Sequence, residues 1–452
     1  MITKNQEFEL RITDMSAEGS GIGHHDGEAV FVPHTAVGDL ILCHIVKTKK
    51  TYAFGKALDI LEPSADRIEP DCDVSSQCGG CCYRHMTYEA ELRVKQKRVE
   101  DAMQRLARID TDVLPILGSE KQVSYRNKAQ YPVQAGGAKG LQIGFYGLHS
   151  HRIVPCMDCL LQPALFYDVL TILRDWILRY KIPIYDEQRH KGLLRHIYLR
   201  RGAHTGELMV CLVINGTNVP HAFQLTETLK ADLPDFKTLV VNYNTADTNV
   251  ILGEDCETLY GDGFIRDTML GISFRVSPLS FYQVNTPQAE RLYQIAADFA
   301  QLTPEDTLLD LYCGIGTIGL TMADKVRQVY GVEVIPDAVL DAKRNAKEND
   351  IENAEFFCGD AAAAAVRLRS KGIQPDVIVV DPPRKGLDPV LIGTIADMAP
   401  SRVVYVSCDP GTLARDCARF AEQGYIARKI QPVDLFPRTA HVETVVLMTG
   451  NK

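Results

Sequence analysis

Residues 403–416 read VVYVSCDPGTLARD. The run VVYV has the continuous apolar character of a buried strand, and Asp409-Pro410-Gly411 is a turn signal. Cys408 therefore stands where that strand leaves its sheet, the end at which open α/β sheets place their ligands. A thiol there is a candidate nucleophile, because the thiolate is the attacking form and free Cys has a pKa of ~8.5. Burial as a small hydrophobe is the alternative.

A second group of residues is arranged around glycines. LLDLYCGIGTIGL (308–320) reads as a strand followed by Gly314-x-Gly316-x-x-Gly319, and Glu333 closes the next strand 19 residues after Gly314. Alone, this is a dinucleotide fingerprint, in which the acid takes the ribose hydroxyls. Its neighbours shift the reading. Asp310 and Tyr312 precede the glycines, Asp360 follows a strand in CGD (358–360), and Asp381 follows another in VVDPPRKG (379–386). Phosphate favours bare N–H groups, whereas four carboxylates at one crevice favour a cation. The sulfonium and ammonium of S-adenosylmethionine suit them better than the pyrophosphate of NAD.

The third group is thiols. CDVSSQCGGCC supplies Cys72-x5-Cys78-x2-Cys81 with Cys82 adjacent, and CMDC supplies Cys156 and Cys159 further on. Three close thiolates and a distant one can hold an Fe–S cluster or zinc. The spacing is not the CxxxCxxC of radical enzymes. Cys211, in ELMVCLVI, reads as a core residue, and Cys43, Cys256, Cys358 and Cys417 carry no motif. The first ten residues lack the apolar core of a secretion signal, so the 13 cysteines are expected in a reducing cytosol. No stretch approaches the ~18 apolar residues of a membrane span.

Three regions must position these groups. Residues 1–62 alternate apolar and polar between glycine turns, which predicts a small OB-like barrel. Its basic, aromatic-interleaved KTKKTYAFGK (47–56) is either an RNA contact or a solvated hairpin. Residues 63–275 are mixed and rich in strands. There the charge segregates, although the chain carries a net −9. Lys121 to Arg152 holds five Lys/Arg and no acid, and Arg189 to Arg201 holds five more, with RHIYLRR lining bases along a strand face. Two acid-free segments predict a phosphate-tracking groove. YEAELRVKQKRVEDAMQRLARI (88–109) predicts a helix with Leu92, Val99, Met103 and Leu106 on one face and no evident partner. Residues 276–452 alternate strand and helix, predicting a doubly wound α/β domain.

SFYQVN (280–285), DLYCGIGTIGL, VVDPPRKGLD, YVSCDPGTLARD and VDLFPRTAHVETVVLM together resemble the RNA uracil-5 methyltransferases that use S-adenosylmethionine. The chain is most similar to the 23S ribosomal RNA branch, notably its Gram-positive enzymes, which has a TRAM barrel and a 4Fe–4S cluster that the bacterial tRNA branch generally lacks. The resemblance implies a TRAM barrel that binds RNA over 1–62, an Fe–S and RNA-binding domain over 63–275, and a Rossmann-like methyltransferase domain over 276–452 on which the 88–109 helix packs. It implies Gln283, Tyr312, Glu333, Asp360 and Asp381 around the donor, Cys408 as nucleophile and Glu443 as general base. Cys72, Cys78, Cys81 and Cys159 would hold the cluster. The implied substrate is ribosomal RNA with a flipped uridine, and the implied chain is a monomer without an obligate protein partner. Two positions depart from the family pattern. Asp409 stands where Asn is common, and its charge is expected to raise the Cys408 pKa. Arg438 stands where His is common.

The chemistry explains the residue types. Uracil C5 is a weak nucleophile until a thiolate adds at C6 and makes the ring an enolate. A base must then remove the C5 proton. Arg384 follows the two prolines, where amino-directed methyltransferases favour an aromatic, which leaves Phe281 as the candidate stacking partner of a flipped base. A NAD-dependent oxidoreductase built on the glycines leaves Cys408 unexplained. A non-catalytic Fe–S RNA-binding protein leaves the Cys408–Glu443 pair unexplained. Transfer RNA is the alternative substrate.

Overall fold

The computed structural model describes residues 2–137 and 140–450. Lys139, counted in the first acid-free segment, lies outside the described residues. Glu7–Met15, Gly21–His25, Glu28–Val32, Leu40–Thr48 and Tyr52–Glu62 close into a barrel. Alternation turns Leu10, Ile12, Val30, Val32, Ile41, Cys43 and Ile45 into one core.

The central region is a seven-stranded mixed sheet. One face packs on the helices Leu165–Tyr180 and Ala222–Asp232. The other sends Tyr198, Met209, Cys211 and Val240 into the core of the C-terminal region. Leu194–Arg201 is therefore an interior strand, paired with Lys128–Ala135 and Leu208–Ile214. This corrects the expected basic strand face. Arg195 and Arg200 are buried. Arg195 donates to the carbonyls of Asn244, Ala246 and Thr248, and Arg200 to those of Ser277 and Ser280. With both sheet faces covered, these guanidiniums act as clamps on loops.

The C-terminal sheet runs in the order Ala354–Cys358, Gln328–Glu333, Thr307–Leu311, Val377–Val380, Arg402–Ser407, Glu443–Gly450, Tyr425–Val433. The first five are parallel, Glu443–Gly450 runs antiparallel to them, and Tyr425–Val433 pairs antiparallel with Glu443–Gly450. Chain order reverses between Thr307–Leu311 and Val377–Val380, which opens a ligand crevice at their C-terminal ends. The hairpin Ile265–Met269/Ile272–Val276, grouped by sequence with the central region, buries Met269 and Phe274 in this C-terminal core.

Helix Tyr88–Asp101 starts at Thr87, whose side chain accepts from the Ala90 amide, and continues as a π-helical turn, Ala102–Ala107. Val99 and Met103 enter the C-terminal core beside Leu309 and Tyr405. Leu106 does not: it is 62% exposed, because the wider π turn changes the angular step. Charge completes the contact. Buried Lys95 donates to Glu91 Oε1 and Asp434 Oδ1, each at 2.7 Å, and to the Phe436 carbonyl at 3.1 Å. Tyr88 donates to Asp434 Oδ2 at 2.7 Å. The buried stripe is thus Glu91, Lys95, Val99 and Met103, with Leu92 only partly covered. Among the described residues no helix is long and apolar enough to cross a membrane.

Candidate active site

Strand register brings together the two side chains expected to react. Ser407 pairs with Thr444 in the antiparallel ladder. One residue further along, Cys408 faces Glu443. Burial, then the Glu443 and Asp381 carboxylates, push the Cys408 thiol up to about 11, against the opposing pull of Arg384. Burial also raises Glu443 to about 8, with Asp381 adding and Arg384 opposing. Burial raises Asp381 to about 7. Cys408 and Glu443 thus share one cation, Arg384, while the Asp381 carboxyl acts on both. Arg384 Nη2 lies 3.2 Å from Nε2 of His441. Burial and nearby arginines hold His441 down to about 4, so its neutral ring can accept from Arg384.

Asp409 plays a different part from the one expected. It caps helix Pro410–Glu422 by accepting from the Thr412 amide at 2.8 Å, and its other oxygen lies 3.6 Å from Arg98. The carboxylates that raise Cys408 are Glu443 and Asp381 instead. Arg438 is likewise structural. Its amide donates to Glu91 Oε1 at 2.7 Å, and its carbonyl accepts from the amides of Cys82 and Tyr83. A cavity of about 510 Å³ opens at Cys408 between Arg384, His441 and Arg98, with Gly80 and Cys81 opposite and His34 of the barrel at its rim.

The glycine loop adjoins these groups. Tyr312, Gly314 and Gly316 have positive φ, which turns the chain sharply out of its strand. Glu333 accepts from the Gly314 amide at 3.1 Å and from the Ile335 amide at 2.9 Å. Asp360 caps helix Ala361–Ser370. Asp310 accepts from the Gly319 amide at 2.8 Å, yet its Oδ1 is buried without a partner. Burial and the charges of Asp381 and Glu333 raise it to about 8. Burial, with Asp360 and Glu333 acting in the same direction, raises Tyr312 to about 12. The crevice is electronegative, as a cationic ligand requires. Gln283 is buried in the segment before helix Thr286–Ala300, and its carbonyl accepts from Asn127 at 2.8 Å. Among the described residues no hydrogen bond joins its side chain to the carboxylates.

Cys72, Cys78, Cys81 and Cys159, with Cys156 among them, line a cavity of about 260 Å³ that shares Cys78, Gly80, Cys81 and Arg126 with the Cys408 cavity. Backbone pairing of Cys78 with Gly147 and a Gly79 amide bond to Tyr146 anchor the loop. Arg84, bound to Asp71 at 2.5 Å, opposes the burial that raises Cys81. Among the described residues no group of three or more His, Cys, Asp or Glu is placed to hold a metal ion. The thiols surround a space rather than a point.

Known proteins show the same organisation. A family model described as tRNA (Uracil-5-)-methyltransferase matches residues 265–451, and a TRAM domain model matches 3–58. A Clostridium tetani protein named an uncharacterized RNA methyltransferase is 43% identical over 449 residues, covering 99% of this chain and 97% of its own. A Halalkalibacterium halodurans protein of the same description is 44% identical over 448 residues, with 99% and 98% covered. The chain belongs to the S-adenosylmethionine-dependent RNA uracil-5 methyltransferases with a TRAM domain. Its fold is also similar to that of the Pyrococcus abyssi tRNA (uracil-54, C5)-methyltransferase, solved in complex with S-adenosyl-L-homocysteine. That likeness has a TM-score of 0.79 at 27% identity, over 98% of this chain and 100% of that one.

Three residues of this methyltransferase's candidate site are not singled out by sequence, although His441 lies inside the VDLFPRTAHVETVVLM motif. Arg98 reaches the cavity from the 88–101 helix. His441 is one of 12 histidines. Buried Tyr293 faces Asp381, Asp310 and Glu443 together and so joins the glycine loop to the thiol cavity. In sequence it is one apolar position on a helical stripe.

Proposed function

We propose that this RNA uracil-5 methyltransferase modifies 23S ribosomal RNA in the cytoplasm, with Cys408 as nucleophile and Glu443 as base. The observation that carries the mechanism is the placement of Cys408 opposite Glu443 at a cavity. Cys408 releases its proton to solvent through the cavity and its sulfur bonds to uracil C6, sending an electron pair onto the C4 oxygen as an enolate. C5 then takes the methyl group, and the sulfonium leaves as neutral S-adenosylhomocysteine. The C5 proton passes to Glu443, and the re-formed enolate expels the Cys408 thiolate. Gln283, Tyr312, Glu333, Asp360 and Asp381 hold the donor. Phe281, 63% exposed, is free to stack on the flipped base.

Cys72, Cys78, Cys81 and Cys159 would hold a 4Fe–4S cluster. Thiols from two segments around one cavity, with Arg84 as a buried counter-charge, suit a cluster that spreads its ligands further than one ion does. Bound, it supplies a rigid tie between residues 72–81 and residue 159. This cysteine set supports the ribosomal branch, whereas the fold likeness to a tRNA enzyme supports a transfer RNA substrate.

The test uses 23S ribosomal RNA fragments and tRNA transcripts carrying 5-fluorouridine, incubated with S-adenosylmethionine and then denatured. Fluorine cannot leave as a proton, so the reaction stalls as an adduct. A methylated adduct on Cys408 with the ribosomal fragment alone is expected. An adduct with tRNA alone overturns the substrate assignment. Bound donor and RNA without an adduct overturn the covalent mechanism.

A further inference from the structure

A third cavity, of about 660 Å³, lies beside the Cys408 cavity between residues 119–127, the Arg201–Ala203 turn and the start of helix Thr286–Ala300. Lys121, Arg126, Arg201 and Arg291 line it, against the single acid Glu120. Such a local excess stands out in a chain of net charge −9. We propose that this cavity binds the phosphodiester backbone flanking the target uridine. The proposal deepens the RNA methyltransferase reading and rests on it.

Three of the four cations of this cavity have no carboxylate partner among the described residues. Arg195 and Arg200 of the same basic segments are consumed by carbonyls inside the fold. Among the described residues, no carboxylate pairs with Lys121, Arg126 or Arg291. Arg201 reaches only Asp235, at 3.4 Å and partly exposed. Arg291 gives Nη1 to the Gly118 carbonyl at 3.1 Å and to Gln288 at 3.4 Å, which fixes its position. A planar guanidinium with free donors matches two oxygens of a phosphate.

The cavity also shares a wall residue with the candidate active site. Arg126 lines both this cavity and the one that opens at Cys408. A strand whose uridine enters toward Cys408 would carry its next phosphates past Arg126 and on to Lys121 and Arg201. The two acid-free segments, 121–152 and 189–201, converge here, the first through Lys121 and Arg126, the second through Arg201. The phosphate groove expected from composition is thus placed at this cavity and not along the Leu194–Arg201 strand.

The probe is a fluorescein-labelled single-stranded oligouridylate, its affinity followed by anisotropy across a salt series. Lys121→Gln, Arg126→Gln and Arg201→Gln are compared with Lys371→Gln, which lies beyond the end of helix Ala361–Ser370. Each groove substitution should weaken binding several-fold near physiological salt and flatten the slope of log K against log salt by about 0.7, one single-strand phosphate contact. Lys371→Gln should leave the slope unchanged. S-adenosylhomocysteine affinity and Tm, unaltered throughout, exclude misfolding. Groove variants that follow Lys371→Gln overturn the proposal. Wild-type protein that forms no 5-methyluridine while the slopes still fall refutes the enzymatic reading and leaves the groove standing.

Discussion

Replacing Glu443 with Gln separates the two effects of this side chain. As the proposed base it would accept the C5 proton. As a carboxylate opposite Cys408 it keeps the thiol protonated. The amide preserves shape and removes both properties. With the thiol pushed up to about 11, only roughly one molecule in a thousand carries a thiolate at pH 8. Each unit by which loss of the charge lowers that pKa raises the thiolate population tenfold. It also weakens the sulfur's intrinsic nucleophilicity about threefold, leaving a net gain of about threefold. Glu443 itself ionises around 8, so the difference from wild type should widen between pH 7 and 9. Iodoacetamide labelling, quantified on the Cys408 peptide, should therefore be faster in Glu443→Gln, by about threefold for each such unit. Turnover should fall by roughly 10²–10⁴, and unmodified RNA should accumulate as a methylated adduct that survives denaturation. Slower labelling of the variant, or undiminished release of 5-methyluridine, would refute the reasoning.

The buried carboxyls make stability depend on pH. Asp310 and Glu443 are raised to about 8 and Asp381 to about 7. Each binds its proton more tightly folded than unfolded, so its contribution is full below about pH 4 and is lost as pH rises towards 8. Tm without ligand should fall across that window, and a flat profile would contradict it. S-adenosylmethionine, with its sulfonium charge, should raise Tm more than S-adenosylhomocysteine, and by a larger margin at pH 8 than at pH 6. Lys95→Met leaves Glu91 and Asp434 buried without their cation and should cost about 3–5 kcal/mol in urea unfolding; a loss under 1 kcal/mol would show that the network is not the clamp on the 88–101 helix. Cys159→Ser should lose iron and sulfide on purification while Cys156→Ser retains them, and the opposite pattern would exchange their roles.

The parts of the site that are legible in sequence are those carried by continuous segments. The strands of the catalytic sheet are short apolar runs ended by Gly, Asp or Pro, so their C-terminal edge, and with it Glu333, Asp381 and Cys408, follows from the residue pattern alone. The weak strand near GYIARKIQ exists as Tyr425–Val433 at the sheet edge. Cys408 and Glu443 are distant in the chain, and without the family motifs only the antiparallel register pairs them. Alternating bases in RHIYLRR mislead because period-two patterning does not say whether both faces of a strand are covered. The apolar stripe of the 88–109 helix misleads at Leu106, since the α period fails where the helix widens into a π turn, and at Lys95, since a buried lysine with two carboxylates looks like a surface residue in sequence.

The raised thiol pKa is consistent with the proposed chemistry once the order of binding is considered. Without ligand, Cys408 and Glu443 face each other and the Asp381 carboxyl, with Arg384 as the cation common to Cys408 and Glu443, so protonation of the thiol is the low-energy state. Such a resting thiol resists oxidation and stray alkylation, because the thiolate is the reactive form. A positively charged donor beside Asp381 reverses the local field. It favours ionisation of both carboxyls and of the thiol, in a cavity where low dielectric strengthens the effect. The same charge disappears when the methyl group leaves as part of a neutral thioether. Glu443 then becomes more basic at the stage when the C5 proton must be removed. The carboxylates that oppose the nucleophile at rest thus link its activation to the donor and the base strength of Glu443 to completed transfer.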